Sequence, residues 1–308
     1  MQAGHAIGVD LGGTKILAGV VAPDGSVVRR RERATPQDSQ EHVIAELEAA
    51  VAELLDDSVG GIGIGAPSPI DQENGVVVRC VNLPLENAPL RDRMHERFGI
   101  PVGLENDANA AAIGEWRAGA GRGEDDVVML TLGTGVGGGV ISGGKPFRGR
   151  NGAGAELGHV VIVHDGRPCQ GACTGHGHLE AYVSGSAATA AAREAFGPSA
   201  DAHRLVRLAD EGDATAKELL ENVGRHLGSG IGSFVNVFAP QLVVIGGGFG
   251  VAAFDYLCGP AEEVARREAL EPMRSNVRLA KAELGTAAGL IGAAFVGFEA
   301  PYFIQKTT

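Results

Sequence analysis

Cysteine is scarce in this chain, with four in 308 residues, and so are aromatics, with one Trp and three Tyr. Four cysteines are too few for the disulfide framework of a small secreted protein. No apolar stretch approaches the roughly 20 residues of a membrane-spanning helix, so no membrane partner is expected. The N-terminus runs straight into a strand-like segment without a signal-peptide pattern, and a cytoplasmic protein is expected. Basic runs are missing too: none exceeds Arg29-Arg30-Arg31, which Glu32 ends, and the formal net charge is −12. Duplex DNA usually meets a basic face, so nucleic acid is excluded as the main partner, and the three arginines read as a solvated turn.

Glycine is the abundant residue, 48 of 308, about twice the usual share. The glycines have no three-residue period, which excludes collagen. They come in bursts, as loops require where backbone approaches a ligand closely.

Ala6-Ile7-Gly8-Val9-Asp10-Leu11 reads as a strand entering the turn Gly12-Gly13-Thr14-Lys15. A second apolar run over 16–21 comes next, then a third at Val27-Val28, joined by glycine turns. A helix is predicted over 39–55, capped by Asp38, with Val43, Ile44, Leu47, Val51, Leu54 and Leu55 on one face. Strands are expected over 59–64 and 102–104, the latter leading through Glu105-Asn106-Asp107 into an alanine-rich helix over 108–118. The polar, glycine-rich stretch 119–126 reads as a domain junction. Beyond it, helices are expected over 179–196 and 215–238, a strand over 242–245, and a last alanine-rich segment over 286–298. Cys80 and Cys258 are isolated and read as core residues.

After the junction the opening motif returns. Val127-Val128-Met129-Leu130-Thr131-Leu132-Gly133-Thr134-Gly135 repeats strand, polar residue, Leu and glycine turn, with Asp10 against Thr131 and Gly12 against Gly133. Two copies of one hairpin imply two similar α/β domains facing each other across a cleft. The first domain is placed at 1–118, with a C-terminal helix at 291–308 packing back on it, and the second, larger one at 119–290.

Three glycine turns can cradle phosphate oxygens with backbone N–H groups: Gly12-Gly13-Thr14, Gly133-Thr134-Gly135 and Gly246-Gly247-Gly248. A P-loop is excluded, since Pro146 comes directly after Gly144-Lys145. Gly133-x-Gly135-x-x-Gly138 matches the dinucleotide fingerprint in letters, but a strand rather than a helix is expected after it. Gly248-x-Gly250-x-x-Ala253 comes after a strand, yet late in the chain and without a convincing βαβ unit. A nicotinamide enzyme is thus a distant reading.

Asp107 stands where strand gives way to helix, and the helix dipole favours its ionised form there. An ionised acid flanked by Asn106 and Asn109 is placed to take a proton from an attacking hydroxyl, as phosphoryl transfer requires. A plain helix cap is the competing reading. Glu156, His159 and Glu180 add polar groups suited to sugar hydroxyls. His159, Cys169, Cys173, His176 and His178 lie within twenty residues, with the ligand types and spacing of a tetrahedral zinc site. His176 and His178 compete for the fourth position, and His159 could serve the substrate instead.

Taken together, these motifs resemble the ROK (repressor, open reading frame, kinase) family, and within it the bacterial glucokinases. Asp10-Leu11-Gly12-Gly13-Thr14-Lys15 is similar to the first phosphate motif, and Leu132-Gly133-Thr134-Gly135-Val136-Gly137-Gly138-Gly139 to the second. Glu105-Asn106-Asp107-Ala108-Asn109 resembles the catalytic-Asp motif and Gly154-Ala155-Glu156-Leu157-Gly158-His159 the sugar motif. Val244-Ile245-Gly246-Gly247-Gly248 looks like the nucleotide segment.

The resemblance implies a two-domain actin/hexokinase-like α/β fold, a duplicated ribonuclease-H-like unit. It also implies ATP with Mg²⁺, Asp107 as base toward the glucose 6-hydroxyl, a structural Zn²⁺ and a homodimer or homotetramer. Sugar contacts carried over are Ser68, Asn82, Asn106, Asp107, Glu156, His159 and Glu180. Phosphate contacts are Asp10, Gly12, Gly13, Thr14, Lys15, Gly133, Thr134, Gly135, Gly246, Gly247 and Gly248.

The chain departs from the family's C-x-C-G-x-x-G-C zinc segment. His178 replaces the last Cys, Gly171 the first, and Cys169 stands two residues earlier, giving His159, Cys169, Cys173 and His178 as the metal set. Pro67-Ser68 stands where Pro-Gly is usual, and the Trp often found after Asn82 is absent. Kinases of mannose, fructose or N-acetylmannosamine, a polyphosphate-dependent glucokinase, and a non-catalytic sugar-binding protein are the alternatives. A repressor needs an N-terminal helix-turn-helix, for which a phosphate motif starting at Asp10 leaves no room.

Overall fold

The structure, a computed structural model, describes residues 4–150 and 152–304. The chain forms two compact units. One takes the residues up to Gly123, Pro146–Ala155 and the chain from Ala287 onward; the other takes Glu124–Lys145 and Glu156–Thr286.

The first unit opens with β1 (His5–Leu11), β2 (Lys15–Val21), β3 (Val27–Ala34), α1 (Gln40–Ala52) and β4 (Val59–Ala66). Then come β5 (Ile70–Asp71), β6 (Val76–Arg79), β7 (Glu86–Ala88), α2 (Leu90–Phe98), β8 (Val102–Asn106) and α3 (Asp107–Ala118). Its main sheet has the order β3-β2-β1-β4-β8, antiparallel across the first two pairs and parallel across the last two. β1 and β4 are central and covered on both faces: Ile7, Val9, Leu11, Ile62 and Ile64 are fully buried on one, and Gly8 and Gly63 lie against the C-terminal helix on the other.

The C-terminal helix Ala288–Ile304 packs on β1, β4 and α3. The last four residues expected in it, 305–308, lie outside the described residues. The helix lies so close to the sheet that a Cβ added to Gly63 would stand 1.7 Å from the Ala293 carbonyl oxygen. One added to Gly292 would stand 1.6 Å from the carbonyl oxygen of Ala110. Part of the glycine surplus therefore serves backbone packing rather than ligand loops.

Three local expectations are corrected. Ser39, not Asp38, caps α1, its side chain accepting from the His42 amide, while Asp38 pairs with the His42 ring at 2.8 Å. Arg29-Arg30-Arg31 lies in the edge strand β3 rather than in a turn. There Arg29 pairs with Asp56, Arg31 with Glu53, and Arg33 with both Glu46 and Glu53. Charged side chains on an edge strand deter pairing with a second chain. Cys80 is buried, but Cys258, on a helix of the second unit, is only half-buried.

The second unit contains β9 (Val127–Leu132), β10 (Val136–Ser142), β11 (Lys145–Pro146), α4 (Glu180–Val183), α5 (Gly185–Phe196), α6 (Ala202–Asp210) and α7 (Ala214–Phe238). β12 (Leu242–Gly246), α8 (Gly248–Ala252), α9 (Phe254–Glu268) and β13 (Leu279–Lys281) complete it. The sheet order β11-β10-β9-β12-β13 repeats that of the first unit, position for position. The paired hairpin strands confirm the duplication. Leu11 faces Ile16 in the first hairpin and Leu132 faces Val136 in the second, so the second turn is one residue shorter. The helix expected over 179–196 is in fact two, α4 and α5. Fully buried Ser184 separates them and caps α5 through the Ala187 amide.

Candidate active site and metal knuckle

In the first unit, Asn106 is the N-cap of α3, its side chain accepting from the amides of Ala108 and Asn109. Capping is thus done by Asn106, and Asp107 occupies the first helical position, where the dipole favours a negative charge. Its Oδ1 accepts from the Ala108 amide at 2.8 Å.

Behind it, Glu105 is almost fully buried and pairs with Arg148 at 2.6 Å. The same carboxylate accepts from the Asn106 amide at 3.0 Å and the Asn109 side chain at 3.3 Å. A buried carboxylate with an Arg partner and two further donors is well satisfied, and it fixes the corner from which Asp107 projects. Arg148 escaped the sequence reading, since 43 residues separate it from Glu105.

Asp10, at the end of β1, is raised to about 6, first by burial and then by the negative charge of Asp107, with Lys15 opposing. Two carboxyl groups in each other's field are suited to a site that receives a cation. Lys15 is exposed and pairs with Glu32 at 3.3 Å. Buried Ser68 takes the Arg79 amide on its Oγ at 3.0 Å, and its carbonyl accepts from the Asn106 side chain at 3.5 Å. The structure therefore joins Ser68, Asn106 and Asp107 into one corner. Asn82 is exposed in a bend, apart from the hydrogen bonds that build that corner.

The first glycine turn is closed by the Gly12 amide donating to the Lys15 carbonyl at 2.9 Å. From outside, Thr35 donates through its amide to the Thr14 carbonyl at 3.0 Å and through Oγ1 to the Gly12 carbonyl at 2.8 Å. Gln37 Nε2 donates to the Gly13 carbonyl at 2.6 Å.

In the second unit the Gly133 amide closes the turn onto the Gly135 carbonyl at 3.0 Å, and α4–α5 clamp it. The Gly185 amide donates to the Gly133 carbonyl at 2.7 Å and Ser186 Oγ to the Thr134 carbonyl at 2.8 Å. Glu180 Oε2 accepts from the Val136 amide at 2.7 Å. Gly246 pairs with Thr131 across the sheet, and Gly247, at φ 79°, lies against the Leu132 backbone. Both glycine turns of this unit thus lie at the same end of the sheet, after the neighbouring strands β9 and β12. Gly138 lies within the strand β10, where a dinucleotide fingerprint would open a helix, and this removes the fingerprint reading of Gly133-x-Gly135-x-x-Gly138.

The turn Leu157–His159 carries exposed Glu156 at its start and His159 at its end. His159, Cys169, Cys173 and His178 converge, with one donor atom from each within 4.8 Å of the others. His176 is exposed and outside this group. The two Nδ1 atoms are 3.2 Å apart, Cys169 Sγ is 3.7 Å from His159 Nδ1, and Cys173 Sγ is 3.5 Å from His178 Nδ1. Zn–N of about 2.0–2.1 Å and Zn–S of about 2.3 Å give a tetrahedron with edges of about 3.3–3.8 Å. The four residues therefore fit a tetrahedral zinc ion. Burial pushes the Cys169 thiol up to about 11, with Cys173 and Glu180 adding to it, so a cation is the group that would stabilise its thiolate.

Paired five-stranded sheets with matching hairpins, glycine turns at both hairpin ends and an acid at a strand–helix corner define an actin/hexokinase-like phosphotransferase architecture. The ROK family model matches residues 6–298, and the chain belongs to that family.

A glucokinase of Thermotoga maritima is 38% identical over 307 residues, covering 94% of this chain and 96% of its own. The crystal structure of a ROK family glucokinase from Streptomyces griseus with glucose and AMPPNP superposes with a TM-score of 0.81 at 36% identity. That match covers 96% of this chain and 100% of the other. A ROK hexokinase from Thermus thermophilus gives 0.82 at 36% identity, over 99% and 100% of the two chains.

Proposed function

We propose that this protein is an ATP-dependent glucokinase, transferring the γ-phosphoryl group of Mg-ATP to the 6-hydroxyl of glucose. The observation that carries the reading is the Asp107 corner. A carboxylate at the first turn of α3 is held by its own helix amide, backed by the Glu105–Arg148 pair and set beside Asp10. In the proposed reaction Asp107 accepts the proton of the sugar hydroxyl as its oxygen attacks phosphorus in line. Ser68, Asn82, Asn106, Glu156, His159 and Glu180 hold the sugar.

The turns at Gly12-Gly13-Thr14, Gly133-Thr134-Gly135 and Gly246-Gly247-Gly248 supply backbone donors to the phosphates, aided by Lys15. Magnesium bound with ATP would offset charge on the phosphate oxygens, and Asp10 is the protein carboxyl suited to face it. Zinc on His159, Cys169, Cys173 and His178 would brace a loop, residues 165–177, that has few apolar residues of its own.

No helix among the described residues is long and apolar enough to cross a membrane. A cytoplasmic homo-oligomer is the form proposed.

The test is ADP release with Mg-ATP across glucose, mannose, fructose, N-acetylmannosamine and N-acetylglucosamine. Strong turnover on glucose is expected. Preference for another sugar would move the specificity to the Ser68 and Asn82 loops. No turnover with ATP or polyphosphate on any of them would overturn the kinase reading.

A further inference from the structure

Gln170 lies between the two cysteine ligands and has no part in the metal set. Its Nε2 donates to the Glu180 carbonyl at 3.2 Å and to Ser184 Oγ at 2.5 Å. A carbonyl can only accept, so the amide nitrogen must face this way. Both acceptors belong to the short segment that clamps the second glycine turn. The Glu180 side chain takes the Val136 amide, and Ser184 precedes Gly185 and Ser186, which hold the carbonyls of Gly133 and Thr134.

We infer that Gln170 is a positioning residue: it couples the Cys/His knuckle to the second phosphate turn, setting nucleotide affinity from the metal loop. The chain of contacts is continuous. Metal binding at Cys169 and Cys173 fixes the backbone on both sides of Gln170, whose amide then fixes the α4–α5 junction. That junction holds the turn in the shape in which its amides can point at phosphate.

The first turn is held instead, among the described residues, by Thr35 and Gln37. Metal state and Gln170 should therefore act on one turn and spare the other. The affinity part of this inference rests on the kinase reading; the coupling itself does not.

The experiment compares wild type with Gln170→Leu and Gln170→Met, all as the metal-loaded full chain. Zinc content, amide hydrogen exchange and steady-state kinetics are measured. Expected are one zinc per chain, exchange at residues 133–136 and 185 faster by about five- to tenfold, as loss of one hydrogen bond produces, and unchanged exchange at 12–16. The KM for Mg-ATP should rise severalfold and by more than the KM for glucose, a split that general destabilisation would not give.

Unchanged exchange at 133–136 in both variants overturns the coupling. A shift in glucose KM alone, with ATP KM unchanged, overturns the affinity role. If Gln170→Leu loses its zinc, the near-isosteric Gln170→Met decides, since it removes the donor and leaves the Ser184 cap of α5 in place: faster turn exchange with zinc retained supports the coupling, and wild-type exchange refutes it. A wild type without kinase activity would sink the proposed glucokinase function, while the exchange comparison would still decide the coupling.

Discussion

The two glycine turns are copies in backbone and strangers in support. Each closes a hairpin at the same place in a sheet of the same strand order. The first is held by Thr35 and Gln37, which come directly after the hairpin's neighbouring strand, so its clamp forms with the sheet itself. The second is held by residues 180–186, reached only after the chain has passed through the metal knuckle.

The corners differ as well. Asp10 has Thr131 at its aligned position, and the acidic helix start at Asp107, directly after β8, has the end of β13 at Lys281 as its counterpart. Duplication thus supplies two phosphate cradles, and later divergence gives charge to one unit and a metal-braced clamp to the other.

The largest expected effect tests the charged half. Asp107→Asn keeps the shape of the corner but removes the proton acceptor, and kcat should fall by about 10²–10⁴-fold with glucose affinity retained. Near-normal turnover would remove Asp107 as base. Next comes metal removal. Purified protein should hold one zinc per chain, and stripping it, or Cys173→Ser, should speed exchange across 133–136 and lower the melting temperature by several degrees. Exchange at 12–16 should stay as in wild type. Equal loosening of both turns would abolish the contrast between them.

How much of this was legible in the sequence depends on the range of the contacts. The hairpin repeat could be read because it is local: strand, polar residue, Leu, glycine turn. The metal set could be read for the same reason, since four ligands fall within twenty residues; the choice of His178 over His176 came from the family resemblance, and the fold groups His178 with the other three. The clamps could not be read. Thr35 reaches back 23 residues to Gly12, Ser186 reaches 52 to Thr134, and Arg148 reaches 43 to Glu105, through side chains with no periodic signature. The cap of α1 failed for a subtler reason. Asp38 and Ser39 are both good caps, and Asp38 is drawn away by its hydrogen bond with the His42 ring. The glycines misled in part, because Gly63 and Gly292 serve helix-on-sheet packing that only the tertiary structure reveals.

A middle-sized effect probes the charge difference through pH. Asp10 is raised to about 6 in the folded protein, above its unfolded value of 3.8, so folding takes up a proton between those values. Its favourable contribution is present below the unfolded value and is lost as pH climbs through about 6. Asp10→Asn cannot ionise. Relative to wild type it should gain stability as pH rises from 4 to 6.5, by up to about 2 kcal/mol, and hold that gain above. Denaturant unfolding across pH 4–8 would show it. A pH-independent difference would mean that Asp10 sits in no unfavourable field, and the electrostatic contrast with Thr131 would lose its basis.

The smallest effect isolates the clamp of the first turn. Thr35 is 7% exposed, and its hydroxyl donates to the Gly12 carbonyl while its amide donates to that of Thr14. Thr35→Val keeps the shape and the backbone bond and removes only the hydroxyl, leaving one carbonyl short of a donor. The cost should be about 1 kcal/mol, near the typical net value of such a bond. Exchange should quicken at residues 12–16 and not at 133–136, the mirror image of the metal experiment. Zinc content should stay at one per chain, because nothing in this clamp passes through the knuckle. If Thr35→Val also loosened 133–136, the two turns would share a support, and the independence on which the comparison depends would fail.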